Sequence, residues 1–211
     1  MTSPSLTTKP LVVLTADKNA QFALRGIFSR ARSLNIQPIR PDYHIHPEKD
    51  PGVLRNAHEF LRPSSRLYQH ALVVMDREGS GQEGQARETM ERQIESAMSQ
   101  SGWGDRAAAI VIDPELDLWV WSSSPHVDGE LGWTGRQPGL RTWLKERGFL
   151  TEGMPKPARP KEALEAALRE VKLPRSSSIY EALAKKVSLA RCTDPAFAKL
   201  QAVLRDWFPP S

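Results

Sequence analysis

Residues 70–81 read "HALVVMDREGSG". Five apolar residues, Ala71 to Met75, run without a break into Asp76; Glu78 follows, and then Gly79 and Gly81. A short apolar run rich in valine, ended by acids and glycines, marks a strand buried on both faces, and strands of that kind belong to parallel sheets. Two more stretches read the same way: "PLVVLTA" (10–16) and "RAAAIVIDP" (106–114), the second stopped by Pro114. "IQPIRP" (36–41) predicts a weaker strand whose prolines place it at an edge. Helical patterns lie between them, at 19–34, 52–62 and 85–100, the first with Asp17 or Asn19 as its cap. Strands alternating with helices imply an α/β fold, a parallel sheet flanked by helices.

In such sheets ligands bind at the carboxyl ends of the strands. Three strand ends here carry polar or acidic residues: Thr15 to Asp17, Asp76 to Glu78, and Asp113 to Asp117. If the three ends share one edge, carboxylates far apart in sequence converge. Hard divalent cations take carboxylate oxygens, so Asp76 and Glu78 are candidate metal ligands, with Gly79 and Gly81 permitting the tight turn such a pair needs. The competing reading is a polar turn closing a buried strand. In "DPELDLWVW" (113–121), Asp113, Glu115 and Asp117 either face the same crevice or favour the positive end of a helix started by Pro114.

The chain of 211 residues has 39% hydrophobic and 26% charged residues, an ordinary globular composition. No apolar stretch is long enough to span a bilayer, and the N-terminal "MTSPSLTTKP" lacks a secretory apolar core and reads as a short disordered lead-in. A single cysteine, Cys192, excludes an internal disulfide and fits a cytoplasmic location. The net charge of +4 is uneven: residues 155–211 hold eleven Lys/Arg against six Asp/Glu. Lys185, Lys186 and Arg191 in this basic part are candidates for contacting nucleic-acid phosphates, or form a solvated helical face. The long segment 122–139 reads as a surface loop and 151–160 as a linker. Helices near 161–172, 178–188 and 194–207 then form a C-terminal helical region (151–211) packed on or appended to the α/β domain (1–150). His44 and His46 in "DYHIH" lack a third metal-ligand partner at a recognisable spacing.

Taken in order, these motifs resemble the TOPRIM fold, the metal-dependent domain of topoisomerases, primases and overcoming-lysogenization-defect nucleases. More narrowly, they are similar to a family of small bacterial TOPRIM-like proteins found beside ATPases and in phage-defence clusters. "VVLTADKNAQFALRGIF" stands where that family has a strand, a Glu-Gly turn and a helix bearing Phe. "LVVMDREGSG" stands at its D-x-D motif, and "DPELDLWVW" resembles its acid–spacer–Trp segment, which carries over to Asp117 and Trp119. "RPKEALEAAL", Tyr180 and "ALAKKVSLARCTDPAFAKLQAVL" are similar to its lysine-bearing and closing helices. The resemblance spans about 190 residues of the sequence.

The resemblance implies a Rossmann-like TOPRIM-type sheet holding Mg2+ (or Mn2+) on Asp76, Glu78 and Asp117, acting on a phosphodiester as a nuclease. One position departs from it. With Phe22 aligned to the family's helix Phe, the TOPRIM Glu falls on Thr15 and its Gly on Ala16. Threonine supplies no carboxylate; Asp17 could substitute as a metal ligand only in a rebuilt turn. Two functions are therefore expected: a metal-dependent nuclease of an antiphage defence system, or a catalytically degenerate interaction subunit partnered with an ATPase or a modification enzyme. A phosphotransfer or hydrolytic enzyme for a small molecule is a third reading; the P-loop pattern G-x-x-x-x-G-K-[ST] does not occur in the sequence.

Overall fold

The computed structural model of the chain describes residues 8–122 and 124–210. Lys9 and Pro10 belong to the first strand, and the rest of the expected lead-in, residues 1–7, lies outside the described residues. Strands β1 (Lys9–Thr15), β2 (Asp42–Ile45), β3 (Tyr68–Asp76) and β4 (Ala107–Ile112) form a single sheet in the order β2-β1-β3-β4. Every neighbouring pair is parallel. The α/β architecture with a helix-flanked parallel sheet is thus the one the apolar runs imply. No helix of the described residues is long and apolar enough to cross a membrane.

The side-chain alternation of each strand builds two cores. Leu11, Val13, Leu72, Val74, Ile110 and Ile112 face one side. Val12, Leu14, Val73, Met75, Ala109 and Val111 face the other, beneath α3 (Lys49–Leu61) and α4 (Arg87–Met98). The first face is covered by α1 (Lys18–Phe28), α2 (Ala31–Leu34), α5 (Asp117–Val120), α6 (Pro125–Glu130) and α7 (Leu140–Glu146). The C-terminal helices α8 (Pro160–Glu170), α9 (Ser177–Lys186) and α10 (Pro195–Trp207) contribute Leu164, Leu183 and Leu200 to that same cluster, so they are packed on the α/β body.

Three local expectations change. The second strand lies at 42–45 and not at 36–41, because Pro38 and Pro41 bring no N–H to a ladder and pairing with β1 starts only after them. The helix expected over 19–34 breaks at Arg30 (φ −112°, ψ 47°). There the Ser29 hydroxyl donates to Gly26 O at 2.7 Å, a local bond that competes with helix propagation. The segment 122–139 is not a plain surface loop: Val127, Leu131 and Trp133 are buried in the first core, and Trp133 Nε1 donates to Ala167 O.

β4 is an edge strand, and its outward amides are occupied by side chains. Ala109 N donates to Glu95 Oε1 and Val111 N to Glu91 Oε1, each at 3.0 Å. Lys199 of α10 then pairs with both carboxylates, at 2.7 Å to Glu95 and 3.2 Å to Glu91. An open ladder that would invite another strand is closed by two acids and a lysine.

Candidate functional site: an acidic strand-end crevice closed by an arginine

Because β1, β3 and β4 are parallel neighbours, their carboxyl ends open on one edge, and the three polar strand ends do meet there. Asp76 closes β3. Its Oδ1 accepts from Leu116 N at 2.9 Å, and its own backbone N–H donates to Asp50 Oδ1 at 2.8 Å. Burial pushes the Asp76 carboxyl well above the usual carboxylate range, and the charges of Asp50, Asp17 and Asp117 push it further. Asp50, in the first turn of α3, is raised to about 6, chiefly by burial; the hydrogen bond from Asp76 N opposes the rise and the Asp17 charge adds to it. Four aspartates from four elements thus act on one another at this edge.

Each candidate residue already has a structural partner or position. Asp17 is the N-cap of α1 and accepts from Ala20 N at 2.9 Å. Thr15, fully buried, donates its hydroxyl to Asp17 O at 3.0 Å, and so braces the turn where an acid was expected. Glu78 is exposed, on a turn whose backbone is fixed by Glu78 N donating to Pro114 O and by positive φ at Gly79 and Gly81. Asp113 pairs with Arg77 at 2.8 Å. Glu115 accepts from Lys161 N at 3.0 Å, capping the start of α8. The Pro114 segment therefore spends two of its acids on structure, but on Arg77 and on the start of α8, not on the dipole of a helix begun by Pro114, since the local helix α5 starts only at Asp117.

Asp117 is the residue that defines the site. It is 3% exposed, and its two oxygens are both taken by Arg175 Nη2, at 3.0 and 3.1 Å. Tyr180 donates its hydroxyl to Asp117 Oδ1 at 2.7 Å, and Arg175 reaches Glu165 as well, at 2.9 Å. Burial raises the Asp117 carboxyl, while Arg175, Tyr180 and Lys161 favour its charged form. Burial also works against the Arg175 charge, yet Asp117, Tyr180 and Glu165 outweigh it and the guanidinium is held more firmly charged than usual. The result is an ion pair in which donors meet both carboxylate oxygens.

Asp76, Glu78 and Asp117 are respectively half-buried, solvent-exposed and bound by Arg175. Among the described residues no group of three or more His, Cys, Asp or Glu side chains is placed to hold a metal ion. His46 is buried, with Nδ1 accepting from Glu48 N at 3.2 Å. Lys185 and Lys186 are ion-paired with Glu181 and Glu130, and Arg191 stands at the mouth of a separate cavity.

Sequence reasoning passed over Asp50, Arg175 and Lys161. Asp50 carried one signal, an acid beside Pro51 at a helix start. Arg175 carried none, since its partner Asp117 is 58 positions away. It also overlooked that "GSGQEG" (79–84) has G-x-G-x-x-G spacing between β3 and α4. The loop does not present itself to a phosphate, however. Gly81 N donates to Glu83 Oε1 at 3.1 Å, and bonds from the Glu83 and Gly81 amides lower the Glu83 carboxyl.

Comparison with family models, with curated proteins and with solved structures finds no match to this chain.

Proposed function

We propose that this protein is a TOPRIM-like component of a bacterial antiphage defence system that acts as an interaction subunit, its strand-end acids serving architecture instead of phosphodiester cleavage. One observation carries the reading: Asp117, the acid matched to the family's acid–spacer–Trp segment, is bound through both oxygens by Arg175. Breaking that pair to free Asp117 would leave an uncompensated buried charge, at a cost of about 3–5 kcal/mol. Thr15 in the place of the TOPRIM Glu supports the same reading, because a buried threonine braces a turn and supplies no base. The defence context, a cytoplasmic location and a neighbouring ATPase or modification enzyme as partner are inferred from the resemblance of motif order.

A second reading, a nuclease using Mg2+ or Mn2+ on a nucleic-acid phosphodiester, is favoured by Asp50 and Asp76, whose proton affinity is raised by burial and by neighbouring acidic charge. Carboxylates raised in this way are stabilised when a cation enters among them. One experiment separates the two. Purified protein is incubated with single- and double-stranded DNA and RNA in magnesium or manganese, and the tagged chain is isolated from cells carrying its neighbouring genes. The interaction reading predicts no cleavage above a buffer control and stoichiometric recovery of a neighbour-encoded protein. Cleavage that Asp76→Asn abolishes would establish the nuclease instead.

A further inference from the structure

A cavity of about 260 Å3 lies between α1, α5, α9 and the segment leading into α10. Its walls are apolar, with Ile27, Trp119, Leu183 and Phe197 among them, and its size is close to the lower end of small-molecule clefts, roughly 300–1,000 Å3. Its charged residues are of one sign. Arg141, Lys156 and Arg191 line it, and no carboxylate does. Lys156 Nζ donates to Leu118 O at 3.0 Å and Arg141 Nη2 to Pro155 O at 3.1 Å, bonds to neutral carbonyls that leave both charges in place.

We infer that this cleft binds a small amphipathic anion, an aromatic or aliphatic body carrying one acidic head group such as a carboxylate, sulfonate or phosphate. The apolar body would be taken out of water against Trp119 and Phe197, whose rings meet edge to face with centroids 5.4 Å apart. The head group would sit at the mouth beside Arg141 and Arg191, both exposed, and Lys156, half-buried, where it satisfies charges that nothing in the cleft cancels. The concave shape and small volume favour a small molecule over a segment of protein. Tyr180 lines the same cleft and holds Asp117, so the occupied cleft adjoins the ion pair of the strand-end site without sharing its charges.

Cys192 makes this testable, since it is the chain's single cysteine and lies in the cleft wall, half-buried. The probe is 8-anilino-1-naphthalenesulfonate, with neutral N-phenyl-1-naphthylamine as its uncharged counterpart. The full-length protein is predicted to bind the sulfonate at one saturable site, and saturation is predicted to slow alkylation of Cys192 by iodoacetamide at least fivefold. Arg141→Glu with Arg191→Glu, both surface changes, should weaken the sulfonate about tenfold or more while leaving the neutral probe within about twofold. Unchanged Cys192 alkylation at saturating sulfonate, or a folded double variant that binds the sulfonate as before, overturns the inference. So does protection of Cys192 by a co-expressed protein but not by the probe, which would assign the cleft to a protein partner.

Discussion

Arg175 matters here because of what it leaves behind when removed. In Arg175→Met, the Asp117 carboxylate keeps Tyr180 but loses its counter-charge in a place that is 3% exposed. Urea unfolding is expected to show a loss of about 3 kcal/mol, much of it recovered in the double variant with Asp117→Asn, since the buried unpaired charge is then gone. Asp50 gives a prediction in pH. Its folded-state pKa, about 6, lies above the ordinary value of 3.8, so folding favours its protonated form. The stability it contributes is complete below about pH 4 and is lost as pH rises through 6. Asp50→Asn should therefore raise the melting temperature at pH 7, by the equivalent of about 1–2 kcal/mol, and leave it unchanged near pH 4. Thermal melts of both proteins at the two pH values check this. At this scale the sequence displayed the acids and concealed their partners. Asp76 and Asp117 are readable as acids at strand ends, but whether such an acid meets a metal or a guanidinium depends on residues such as Arg175 that only the fold brings near.

At the scale of elements, α1 and α9 touch because of Gly26. A β-carbon there would lie 2.6 Å from both Ala184 Cβ and the Glu181 carbonyl oxygen, and the oxygen belongs to helix backbone that cannot swing aside. Gly26→Ala should separate the two helices and destabilise the protein by about 1–3 kcal/mol despite alanine's better helix propensity, a change that chemical denaturation measures directly. The β4 edge makes a similar argument with polar groups. Glu91→Leu keeps an apolar fit but leaves Val111 N–H without its acceptor and Lys199 with one carboxylate, and a loss of about 1–3 kcal/mol is expected in the same assay. The strands β1, β3 and β4 were legible because burial on both faces forces continuous apolar runs. β2 was not: four residues at an edge, none of them fully buried and three of them polar, carry too little pattern, and the apolar "IQPI" beside them drew the expectation away.

For the molecule as a whole, the boundary near residue 150 is a boundary of composition and not of the core. Leu164, Leu183 and Leu200 sit in the same cluster as Leu72 and Ile110, so a chain ending at Leu150 would strip part of the cover from one face of the sheet. Such a fragment is expected to unfold without cooperativity, with near-ultraviolet dichroism as the measurement. That face was legible only as three amphipathic helices, because nothing local says which surface an amphipathic helix will cover. The same packing delivers Arg175 from the loop between α8 and α9 to the strand ends, which ties the C-terminal helices to the character of the acidic crevice. On the proposed interaction role, Arg175 and not a metal ion neutralises Asp117 in the crevice. Calorimetric titration of the full-length protein with manganese at pH 7 tests it most directly. No saturable binding is expected beyond what Asp76→Asn also shows; a stoichiometric site present in the wild type and absent from Asp76→Asn would contradict the proposed role.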